Sequence, residues 1–93
     1  MPTIKLAHIR EQGQNMLLFP LDRSFGLKTT AEKHAVLNEL EARAHRAGLA
    51  GHAAVFWESG GRTSSLGPRQ WSNFLRSISI RQVLASVNKS ISW

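Results

Sequence analysis

Between Thr29 and Gly48 the chain spells out one helix together with both of its ends, and this segment constrains the fold more than any other. Thr29 and Glu32 have the spacing of a capping box, in which each side chain takes up a backbone amide that the first helical turn leaves unpaired. Val36, Leu37, Leu40, Ala44 and Ala47 then fall on one face at helical intervals. Glu32 near the start and Arg43, His45 and Arg46 near the end both suit the helix dipole. Gly48 followed by Leu49 reads as a left-handed cap with its apolar contact. A helix is expected over residues 30–47.

On either side lie hairpin patterns. "TIKLAHIR" alternates roughly and "NMLLFPL" is a compact apolar run, with the glycine turn "EQGQ" between them. Pro20 brings no amide donor, so the second strand either ends there or lies at a sheet edge. "DRSFGLK" is a connecting loop. After the helix, "GHAAVFWE" reads as a buried strand that the turn "ESGGR" folds back onto "TSSL".

Pro68 suits the first turn of a further helix, in which Trp71, Phe74, Leu75 and Ile78 share a face. Ile80, Val83, Leu84 and Val87 obey the same rule but are out of phase with that set. One straight helix cannot turn both sets toward one core, so a break is expected between Ser77 and Ser79. Ser79 with Gln82 offers a second capping box there. The rival reading of "SISIRQV" is a strand, because it alternates and is β-branched. Residues 88–93 form a tail or a short terminal strand. The expected architecture is one α+β domain over residues 1–93. It comprises a small antiparallel sheet of two hairpins with helices on one face, in the order ββαββα(α).

Several classes of chemistry fall away. The chain has no cysteine, hence no disulfide, thiolate nucleophile or cysteine-ligated metal. It has no 18-residue apolar stretch, and "MPTIKLAHIREQ" has no run of signal-peptide length, so a cytoplasmic protein without membrane contact is expected. His34 and His45 lie about 16 Å apart along one helix and cannot share a metal, and no spacing joins His8 to His52. Neither a metal nor a cofactor is expected. No G-x-S-x-G elbow occurs, Asp22 is the only aspartate, and Glu11 and Glu58 sit at hairpin turns. "SGGRTSS" can form a nest of backbone amides, but Phe56 stands where a P-loop requires glycine. No catalytic constellation is readable.

Charge supplies the functional lead. The net charge is +6, and it is unevenly placed. Residues 1–58 hold seven basic and all six acidic residues, whereas residues 59–93 hold Arg62, Arg69, Arg76, Arg81 and Lys89 and no acid. On the helix beginning near Pro68, Arg69, Asn73 and Arg76 share the face opposite the apolar stripe, and Arg62 and Arg81 flank it. Arginine and asparagine are side chains that reach phosphates and base edges. The expected function is a non-enzymatic binding module that presents this basic surface to a polyanion, foremost nucleic acid. Five cations on five phosphates would give log K a slope of roughly −4 to −5 against log salt. The alternatives are an interaction or homodimerisation module, with Trp93 as the interface anchor, and a small phosphate-ligand domain centred on Gly60, Gly61 and Arg62.

Overall fold

A computed structural model describes residues 3–11 and 13–92. Five strands and three helices follow one another as β1 (Thr3–Glu11), β2 (Gln14–Pro20), α1 (Thr30–Arg46), β3 (His52–Ser59), β4 (Arg62–Leu66), α2 (Ser72–Ser77), α3 (Ile80–Ala85) and β5 (Lys89–Ser92). Short 3-10 turns at Arg23–Leu27 and Arg69–Trp71 lead into α1 and α2. None of the helices among the described residues is long and apolar enough to cross a membrane.

The sheet has the order β4-β3-β2-β1-β5. Both expected hairpins form, β1 with β2 and β3 with β4, and each is antiparallel. They join through β2 and β3, which run parallel, with Leu18 beside Ala54 and Phe19 beside Val55. The sheet is therefore mixed, not antiparallel as expected. The reason is α1, which carries the chain back along the sheet so that β3 starts at the same end as β2. At that end Gly51 passes so close to β2 that a Cβ on it would stand 2.5 Å from the Asn15 carbonyl oxygen. Its φ of +123° is one that only glycine adopts without strain.

The helices cover both faces of the sheet, which corrects the expectation of one. Leu6, Leu17, Phe19, Ala53, Val55 and Trp57 face α1 and the first 3-10 turn, where they meet Leu40, Ala44 and Phe25. Ala7, Met16, Leu18, Ala54 and Phe56 face the other way, against Trp71, Leu75 and Val83 of the α2–α3 side. β2 and β3 are apolar at consecutive positions, so alternation puts large side chains on both surfaces and each surface needs a cover. Phe19, Phe56, Leu17 and Leu18 are fully buried, each stabilising the fold by about 1.5–3 kcal/mol relative to exposure.

Residues 80–85 are helical, so the strand reading of "SISIRQV" is not the one adopted. Ile78 is extended, Ser79 caps α3 and Gln82 completes the capping box, and this kink turns both Leu75 and Val83 toward the sheet. The terminal segment pairs with β1 as β5, with Ile91 beside Ile4. Pro20 ends β2 in the interior of the sheet and does not mark an edge.

The cap on α1 is complete: Glu32 N–H donates to Thr29 Oγ1 at 3.2 Å and Thr29 N–H to Glu32 Oε1 at 2.9 Å. The Thr29 amide, and after it the Thr29 hydroxyl, hold the Glu32 carboxyl below its ordinary 4.5. A depressed carboxyl stabilises the fold above its ordinary value, and that contribution disappears as pH falls through the lower folded-state value. Thermal unfolding of Thr29→Ala should show a loss of about 1 kcal/mol, a drop of roughly 4–8 °C. Glu32→Gln should lose less stability than the parent protein between about pH 5 and pH 3.

Candidate functional site

The basic third of the chain begins at the β3–β4 turn. Gly60 and Gly61, at φ of +58° and +79°, make a two-residue turn of the type that matches strand twist, so Ser59 pairs directly with Arg62. Arg62 thus opens β4, an edge strand, with its side chain exposed. The kink between α2 and α3 lies over this corner. Ile80 N–H, the first amide of α3, donates to Thr63 Oγ1 at 3.0 Å, so the residue next to Arg62 holds the start of α3 in place.

Two adjoining hollows result, and Arg62, Thr63 and Ser79 line both. The first, of about 410 Å³, adds Arg76, Ser65 and Ser77. Ser77 Oγ donates to the Phe74 carbonyl at 2.7 Å. Gln82, also on its wall, accepts the Ser79 amide on Oε1 at 2.7 Å, so its NH₂ is the end left to donate. The second, of about 450 Å³, adds Arg81 and Glu58. Glu58 lies 3.7 Å from Arg23, and both side chains are well exposed. Among the described residues, no carboxylate is within ion-pair distance of Arg62, Arg69, Arg76 or Arg81. Their guanidinium groups are therefore open to an outside anion.

The structure thus brings Arg62, Arg76 and Arg81 to one corner. Asn73 is exposed on α2 outside both hollows, and Arg69 is exposed on the 3-10 turn whose Trp71 is bonded to Gln14, at the opposite end of the sheet from Arg62. Lys89 does not join them. It lies in β5, at the opposite edge of the sheet from Arg62, a separation of about 19 Å across four strand spacings. Trp93 lies outside the described residues. Glu58 in the second hollow, and the hydroxyls of the first, were not picked out from the sequence. Serine and threonine carry no spacing signal, and only the docking of α3 on Thr63 brings these groups to Arg62.

The remaining polar groups at the far end of the sheet serve the fold. His45 Nε2–H donates to the Gly51 carbonyl at 2.6 Å. Glu41 Oε1 accepts the Ala53 amide at 2.8 Å and His52 Nδ1–H at 3.3 Å. These bonds fasten the end of α1 to the start of β3. Trp71 donates its indole N–H to Gln14 at 2.7 Å and so anchors the entry to α2. No three metal-ligating side chains come together among the described residues. No protein-family model, curated protein or solved structure matches the chain.

Removing the hydroxyl that holds α3 tests how this corner is built. Thr63→Val leaves the half-buried Ile80 amide unpaired and should cost about 1–2 kcal/mol. Hydrogen exchange at Ile80 should accelerate in step with a lowered melting temperature.

Proposed function

We propose that the chain is a non-enzymatic binding module that presents Arg62, Arg76 and Arg81 to the sugar-phosphate backbone of a nucleic acid. One observation carries this reading: Arg62 is shared by two hollows, each holding a further arginine, and none of the three is neutralised by an ion pair among the described residues. A guanidinium offers a planar fork of donors that matches two phosphate oxygens, and the Ser65 and Ser79 hydroxyls and the Gln82 amide extend the same donor surface.

The aromatic side chains support contact with the backbone of the nucleic acid, not stacking on its bases. Among the described residues, Trp57 is 7% exposed and Trp71 4%, Phe19, Phe25 and Phe56 are buried with them, and Phe74 is half-buried against the α2–α3 core. Binding through phosphates is largely indifferent to base sequence and strongly sensitive to salt.

The measurement is fluorescence anisotropy of a labelled oligonucleotide over a range of salt concentrations. With three arginines on phosphates, log K should fall against log salt with a slope of about −3. Arg62→Ala should weaken binding to all sequences alike and make the slope shallower by about 1, while Lys89→Ala should leave it unchanged. An unaltered slope in Arg62→Ala would remove this corner from the interface. No binding at all, together with a size that grows with concentration, would favour the homodimerisation reading instead.

A further inference from the structure

The two hollows differ in one group. The first, around Arg62 and Arg76, has no carboxylate on its walls, whereas Glu58 stands on the wall of the second beside Arg62 and Arg81. A carboxylate here repels a phosphate placed on the same arginines. A strand that fills both hollows therefore has to set a donor directly against Glu58, leaving Arg81 to the next phosphate along. When ionised, Glu58 accepts hydrogen bonds and donates none. Its ion pair with Arg23 is long, at 3.7 Å, and side-chain exposures of 77% and 49% leave it to water. Pairs of that kind contribute little, so Glu58 is free to take another partner.

A strand lying with one phosphate in the first hollow brings the neighbouring sugar to the second, because the hollows meet at Arg62, Thr63 and Ser79. The sugar-phosphate backbone of DNA offers only acceptors. That of RNA carries one donor per nucleotide, the 2′-hydroxyl. We propose that Glu58 selects ribose, accepting the 2′-hydroxyl of an RNA strand whose adjacent phosphate rests on Arg62 and Arg76. The inference rests on the nucleic-acid reading above and adds the class of nucleic acid.

The test compares oligouridine with oligodeoxyuridine and 2′-O-methyl oligouridine of equal length, so that bases and phosphates are held constant. The 2′-O-methyl probe keeps an RNA-like sugar but cannot donate. The parent protein should bind the ribose probe about 3- to 10-fold more tightly than either of the others. Glu58→Ala should bring that ratio to about one. Glu58→Gln, which loses the charge but keeps an oxygen acceptor, should tighten binding to all three probes and retain part of the ratio. Thermal unfolding of each variant confirms that the exposed substitution leaves the fold intact.

A ratio near one in the parent protein would overturn the inference while leaving nucleic-acid binding in place. So would a ratio that Glu58→Ala leaves untouched, since Glu58 would then act only by repulsion. Failure to bind any of the probes would overturn both this inference and the reading beneath it.

Discussion

The burial of β2 and β3 on both of their faces is the constraint from which the rest of the architecture follows. Leu17 and Phe19 point one way and Met16 and Leu18 the other, and Val55 and Phe56 repeat the arrangement next door. Strands of this kind cannot lie at an edge or leave a face wet without exposing a row of large side chains. They therefore sit together near the middle of the sheet, and the chain supplies a long helix for one surface and two short ones for the other. The parallel pairing of β2 with β3 is the geometric outcome of covering the first surface with α1 between them. The crossing of α2 and α3 over the second surface is what brings the basic third of the chain back over β4.

That crossing also accounts for the electrostatics. The carboxylates precede Ser59 in the chain, and several are engaged locally: Glu32 in the α1 cap, Glu39 with Arg43, and Glu41 with His52 and the Ala53 amide. Glu58, last of the acids in the sequence, is the one that reaches the arginine corner. The result is a surface on which one carboxylate stands among arginines.

Much of this was legible in the residues before any coordinates. α1 could be read with both ends because its caps are made by side chains close in sequence, and the break before α3 followed from two apolar stripes that one helix cannot align. The two-sided cover was missed although its signal was present, in the uninterrupted apolar runs of "NMLLF" and "AAVFW". An alternating strand buries one face, and a continuous one buries two. Parallel pairing and the docking of β5 on β1 depend on contacts between distant segments, for which spacing is silent. For the same reason Lys89 was grouped with the arginines. It follows Arg81 by eight residues, but in that interval the chain passes to the other edge of the sheet.

The brevity of α2 and α3 has a consequence of its own. Each has six residues, too few backbone bonds for a helix to persist without support. They hold their shape because Leu75 and Val83 are seated against Ala54, Phe56 and Leu18, and because Thr63 grips the first amide of α3. The recess that gathers the arginines has no existence apart from the sheet beneath it. The corner and the fold are thus held by the same contacts, so an occupant that bound only the folded chain would stabilise the whole molecule.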